Sequence, residues 1–333
     1  MEGLWLGGVA ANSAFRHFEG RVTTSSFQSE MVPFEWSGDS HAIFGVKQDT
    51  VKPNGWALGP LKTYLFSTDG TRRELPALTS PNGPLDEIYW VGNAGLALAA
   101  FGTKGSSYRP EHADEHPTLA FVNAQTGRVL QSIEIPNEDP DRPALHWIGA
   151  VTSRIDHSGR AYVLISFVNG KWLSWAQGDI PQVAPIPANR GASLFALSPD
   201  ARTVLLMKNL SATGLICEFS KCPPPTPQSG AIAELRDIAT GRLIWSINGT
   251  AKTFSGYNVP AISPDGLYAL VSMPPRDGHW QTTALVEMKS GRVLQEVLDP
   301  WNGKCGAGFS PDSRTAWIAS SSRIVTYDIK LER

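Results

Sequence analysis

Long apolar runs are missing from this chain of 333 residues. No stretch approaches the roughly 18 residues that a spanning helix needs, so no membrane span is expected. The opening MEGLWLGGVAANSAF has neither a basic start nor a sustained apolar core, so it does not read as a secretory signal. A cytoplasmic location is therefore expected, or a secreted or periplasmic one if a signal was removed ahead of Met1. Cysteine is scarce: Cys217, Cys222 and Cys305 are too few for a disulfide framework or a four-ligand zinc set. An excess of either charge is also missing. With 29 Lys+Arg against 31 Asp+Glu the net charge is 29 − 31 = −2, without the basic excess that a general nucleic-acid binder needs. Heptads and charge runs are absent, and helix signals nearly so. There is no Gly-x-Ser-x-Gly elbow, no P-loop and no Gly-x-Gly-x-x-Gly after a strand, so a serine hydrolase or nucleotide enzyme has no motif support. No cofactor is expected.

What the chain has is turns and a core. Hydrophobic residues at 41% rule out wholesale disorder, and 31 glycines with 25 prolines point to many turns between short elements. The turns repeat. One motif reads apolar–Ser-Pro-Asp and then an apolar run. It occurs at Leu197-Ser198-Pro199-Asp200 before TVLLM, at Ile262-Ser263-Pro264-Asp265-Gly266 before YALVSM, and at Phe309-Ser310-Pro311-Asp312 before TAWIAS. Looser copies are Trp36-Ser37-Gly38-Asp39, Val91-Gly92-Asn93-Ala94-Gly95 and Ile155-Asp156-His157-Ser158-Gly159. The other motif is an apolar run followed by Thr/Ser-Gly-Arg: Thr126-Gly127-Arg128, Thr240-Gly241-Arg242 and Ser290-Gly291-Arg292, with Asp69-Gly70-Thr71 as a looser copy. Both are strand–tight turn–strand signals, with Gly taking a positive-φ position and Pro and Asp presetting the turn.

Joined in order, the two hairpins make a four-stranded antiparallel sheet, a-b-c-d, recurring about every 45–65 residues, a spacing that suits repeated small sheets. These motifs resemble the WD-repeat-like and YVTN-type β-propeller families over most of residues 33–333, as a divergent relative, since the Gly-His and Trp-Asp dipeptides of true WD repeats are not in register. The resemblance implies an all-β fold: one β-propeller domain over 1–333. Six four-stranded blades are favoured, starting near residues 33, 87, 146, 193, 258 and 305. Seven would result if a further sheet lies in a poorly patterned stretch. The sixth repeat lacks a d strand. Residues 1–30 are expected to hold a closing segment, with residues 14–24 (AFRHFEGRVTT) pairing with residues 324–329 to close the ring.

In a propeller the a–b and c–d turns lie on one face and the b–c and d–a connections on the other. Here the first set is tight. The b–c set is long: residues 47–60, 102–117, 208–230 and 273–281. The d–a stretches 137–147 and 299–306 add to the same face. Long loops on one side of a rigid scaffold are a common seat of function, although neutral loop growth also lengthens them.

The candidate binding residues sit on those loops. His112 and His116, with Asp114 between them, have the donors for a zinc-like ion. Their Pro-flanked context, without a His-Glu-x-x-His pattern, reads first as a solvated loop. Arg276, His279 and Trp280 offer an acid/base, an anion clamp or an interface anchor, or else an ordinary turn with a packing tryptophan. His146 and Trp147, and Trp301 with Lys304, precede innermost strands and would rim a central channel; blade-to-blade packing is the other use of these tryptophans. Cys217 and Cys222 are a feasible disulfide, which would imply an oxidising compartment, or two free thiols. Two functions stay open at this point. One is a non-enzymatic scaffold binding a protein or small ligand through the long-loop face. The other is an enzyme, a lyase or hydrolase, with a His/carboxylate or metal site at the channel mouth.

Overall fold

A computed structural model describes residues 34–36, 42–48, 61–67, 72–74, 85–91, 96–101, 118–123, 125–135, 148–156, 158–167, 170–187, 194–208, 210–211, 228–251, 253–254, 260–274, 282–298, 304–310, 312–320 and 324–329. All regular structure among them is β, with no helix, and it falls into small antiparallel sheets. Five sheets have four strands in simple sequential order. The first is Phe34–Trp36, Ala42–Gln48, Leu61–Ser67 and Arg72–Glu74. The second is Leu85–Val91, Leu96–Phe101, Thr118–Asn123 and Arg128–Glu134. The third is Ile148–Ile155, Ala161–Phe167, Trp172–Ala176 and Gln182–Val183. The fourth is Leu194–Leu197, Thr203–Met207, Gln228–Asp237 and Leu243–Ala251. The fifth is Ala261–Ile262, Tyr268–Met273, Thr282–Glu287 and Val293–Leu298. The sixth has three: Lys304–Phe309, Thr315–Ser320 and Ile324–Asp328. A two-stranded ribbon, Leu210–Ser211 with Thr253–Phe254, stands beside the fourth. Residues 14–24, expected to close the ring, lie outside the described residues.

The chain divides into two compact units, residues 1–169 with 173–182, and residues 170–172 with 183–333. Each has its own core. In the first, Leu98, Leu119 and Phe121 of the second sheet meet Val163, Ile165 and Trp175 of the third. Phe121 and Trp175 pack at 4.4 Å between ring centroids. In the second, Leu205, Met207, Ala233 and Leu235 of the fourth sheet meet Ile262, Val271, Ala284 and Val286 of the fifth. Every residue of Leu96–Phe101 is buried, so this strand is covered on both faces and reads as a continuous apolar run, not an alternating one.

The repeated turns share one hydrogen-bond scheme. In Ser198-Pro199-Asp200 the Ser198 hydroxyl donates to Asp200 Oδ1 (2.6 Å) and accepts from the Thr203 amide (3.0 Å). The Arg202 amide donates to Asp200 Oδ1 at 3.1 Å. Ser263–Asp265 and Ser310–Asp312 repeat all three bonds. The residue after Asp is left-handed in each copy: Ala201 (φ 56°), Gly266 (φ 73°) and Ser313 (φ 61°). Ser313 has a reason not to be glycine, because its buried hydroxyl accepts the Asp265 amide of the fifth sheet at 3.0 Å. In the Thr/Ser-Gly-Arg turns the glycine amides of Gly127, Gly241 and Gly291 donate to the carbonyls of Asn123, Asp237 and Glu287 at 2.8–2.9 Å. The three glycines have φ of 69–73°, which only glycine adopts cheaply.

Candidate functional site

The two ends of the sheets differ in chemistry. At the tight-turn end the polar side chains serve the turns themselves. The Asp237 carboxylate accepts both the Thr240 hydroxyl (2.7 Å) and its amide (2.8 Å). Those bonds hold it below the usual carboxylate range. Asp156 is held low by the Ser158 hydroxyl and by backbone amides, and Asp312 by the Ser310 hydroxyl and the Arg314 amide.

This end also carries the joints between successive sheets. The residue three after the turn arginine, on the fourth strand, reaches the next sheet's turn. In the fourth sheet that residue is Trp245, whose indole N–H donates to the Met288 carbonyl at 2.7 Å. In the second it is Gln131, whose amide donates to the Asp179 carbonyl (2.8 Å) and accepts the Gly178 N–H (2.7 Å). The positions are equivalent, since Phe121 pairs with Gln131 and Leu235 with Trp245 beside the same one-residue bulge. The bulge residues Leu130, Ile244 and Leu294 are exposed.

The opposite end is where the long connections attach. Buried hydroxyls occur at this end as they do in the Ser-Pro-Asp turns. Ser166 and Ser272 stand at the close of second strands, and Thr118, Thr282 and Thr283 at the opening of third strands. The Ser166 hydroxyl donates to the Ala150 carbonyl (3.4 Å), and that of Thr282 to Glu296 Oε2 (3.4 Å). The one buried acid among the described residues is Glu234, on the third strand of the fourth sheet. It pairs with Lys208, which follows the second strand, and with Arg236 Nε at 2.8 Å. Arg236 Nη1 continues to the Gly241 carbonyl at 2.9 Å. Burial pushes the Glu234 carboxyl up, but the hydrogen bonds and charges of Lys208 and Arg236 outweigh it, and the group titrates below its usual range. This triad ties Lys208, just past the second strand, to the third strand of the same sheet. Its ionic groups are occupied with one another, which makes it a structural support and not a catalytic pair.

No protein-family model matches this chain, and no curated protein matches it.

Of the residues singled out in the sequence, His112, Asp114, His116, His146, Trp147, Cys217, Cys222, Arg276, His279, Trp280 and Trp301 lie outside the described residues. Lys304 is described in its backbone. It opens the first strand of the sixth sheet opposite Ser320, and the ladder slips by one residue there, around Cys305. Among the described residues no three His, Cys, Asp or Glu side chains gather as a metal site. No helix among them is long and apolar enough to cross a membrane. The Glu234 triad was legible only as a charge inside an apolar run, AIAELRD, a pattern that marks a buried ion pair when a cation lies two residues on and another on the neighbouring strand.

Proposed function

We propose that the chain is a single six-bladed β-propeller, resembling the WD-repeat-like and YVTN-type propellers. It acts as a non-enzymatic scaffold that binds a protein or small ligand through the face carrying the long b–c and d–a connections. The observation that carries the reading is the contrast between the two ends of the sheets. At one end the turns are short, stereotyped and saturated by their own hydrogen bonds. At the other, second and third strands are joined by connections as long as that from Met207 to Gln228. The ring arrangement is supported by the neighbours of the first strands. Leu85–Val91 lies against Ile148–Ile155, Leu194–Leu197 against Ala261–Ile262, and Ala261–Ile262 against Lys304–Phe309. First strands placed side by side are the inner strands of a radial array.

A comparative capture experiment tests the binding face. The protein is immobilised as wild type, with residues 104–116 or 276–280 replaced by short Gly-Ser links, and with Thr126, Thr240 and Ser290 changed to alanine at the tight turns. The reading expects the species enriched by the wild type to lose at least about tenfold in affinity, ~1.4 kcal/mol, in a loop-shortened form. The turn variants should retain it. Binding that survives both loop replacements and fails in the turn variants would put function on the other face.

A further inference from the structure

The outer strands of the sheets are protected unequally. An edge strand presents a row of unpaired N–H and C=O groups, and charge, proline or short length keeps other chains off it. Arg72–Glu74 is three residues, all charged. Arg128–Glu134 is charged at both ends, and Val293–Leu298 contains Glu296. Gln182–Val183 is two residues long and stands between Pro181 and Pro185. Leu243–Ala251, the outer strand of the fourth sheet, runs for nine residues, LIWSINGTA, without charge or proline. Its bulge, at Ile244, lies near its start.

From Trp245 to Ala251 each residue pairs in turn with the third strand, Gln228–Asp237, and no described strand pairs with the outer side. Side chains alternate along that run. Ser246, Asn248 and Thr250 are exposed, while Trp245 and Ile247 are buried in the core of their own unit. Gly249 has no side chain, and Pro274 and Ile232 close the space that a Cβ would enter. The run is its own complement about Asn248. Set antiparallel to a second copy across a two-fold axis, Ser246 faces Thr250 and Thr250 faces Ser246, two small hydroxyls each time. Ile247 faces Gly249, which has no side chain to displace it. Asn248 faces its own copy, and no like charges meet.

We propose that Leu243–Ala251 is a self-association edge, which pairs antiparallel with the same strand of a second copy, centred on Asn248. The fourth sheets of two copies then join as one continuous antiparallel sheet. The occupant is a second copy and not an unrelated strand because the register complements itself. Backbone hydrogen bonds supply the attraction, and the hydroxyl pairs on the exposed face fix the register. A single strand pair is a small interface, below about 1,200 Å² in total, so the dimer is weak and dissociates on dilution. The inference does not depend on which face of the protein binds a partner.

Sedimentation of the full chain over a dilution series should show a reversible monomer–dimer equilibrium. Ser246→Lys with Thr250→Lys sets like charges opposite one another at both outer pairs, and should weaken the dimer at least about tenfold. Ser246→Lys with Thr250→Glu sets opposite charges there and should keep it. Both variants lose the 2.7 Å bond between the Ser229 and Thr250 hydroxyls, so their difference reports the pairing between copies. Asn248→Cys, oxidised mildly and mapped by proteolysis, should link position 248 to position 248 of a second copy. Ser132→Cys, exposed on the outer strand of the second sheet, should give no such link. A wild type that stays monomeric at its highest soluble concentration would overturn the proposal. So would a dimer on which the two charge variants act alike. Where a charge variant does not fold, the cysteine decides: no 248-to-248 link in a protein that melts like the wild type refutes the paired edge.

Discussion

Replacing Gly241 with alanine should cost about 3 kcal/mol or more of stability. A Cβ at that position would lie 2.0 Å from the Pro185 carbonyl oxygen, with φ at 69°. The obstacle is backbone, two residues past the Gln182–Val183 strand, and has no rotamer to move into, so the turn or that segment must shift. Gly159→Ala supplies the control. Its φ of 82° carries the same left-handed strain, but nothing stands within 4 Å of the new methyl. Its loss should stop at about 1–2 kcal/mol. Equal losses in urea unfolding of the two variants would show that the close approach at Pro185 contributes nothing.

Glu234→Ala should destabilise by about 1–3 kcal/mol at neutral pH. The figure stays below that for a fully dry pair because Lys208 and Arg236 retain side-chain exposures of 28% and 15%, enough to find water when the carboxylate is removed. The effect is pH-dependent with a definite sign. A carboxyl depressed in the folded state contributes stability that is complete above its unfolded value and is lost as pH falls through the folded one. Glu234, Asp156, Asp237 and Asp312 are all shifted down, so their contributions vanish together in acid. Wild type should therefore hold its melting temperature from neutral pH to about pH 5 and lose it below about pH 4. The gap between wild type and Glu234→Ala should narrow over the same range. A gap that persists undiminished at pH 3 would mean that the ionised carboxylate is not what stabilises the strand.

Local pattern was enough for the sheets. Repeats placed near residues 33, 87, 146, 193, 258 and 305 match first strands that begin at Phe34, Leu85, Ile148, Leu194, Ala261 and Lys304. The reason is physical. Ser-Pro-Asp and Thr-Gly-Arg write their conformation into adjacent residues, through an Oγ–carboxylate bond two residues away and a glycine that takes positive φ. Even the degenerate copy at Asp156 obeys the logic, with its carboxylate accepting from the Ser158 and Arg160 amides at 2.8 and 3.0 Å. The joints were not legible, because Gln131 meets Asp179 and Trp245 meets Met288 across 48 and 43 residues. A tryptophan in one copy and a glutamine in another share no pattern, only a position. The ribbon of Leu210–Ser211 with Thr253–Phe254 was hidden for the same reason, being two short segments inside connections that carry no periodicity. The candidate site residues belong to those connections, where composition names the chemistry available and leaves its convergence to the fold.

The proposed propeller requires the six sheets to close into one ring, with their long connections on one face. Electron–electron resonance distances between spin-label pairs on equivalent turns test it directly, in a chain whose Cys217, Cys222 and Cys305 are serine. The reference pair is Thr240 and Lys289, on the third-to-fourth-strand turns of the fourth and fifth sheets. The test pair is Asp69 and Lys330, which follow the third strands Leu61–Ser67 and Ile324–Asp328 of the first and sixth sheets in sequence. A ring makes first and last sheets neighbours, so the two distances should agree. A separation between Asp69 and Lys330 far longer than that between Thr240 and Lys289 would describe an open row of sheets and contradict the claim.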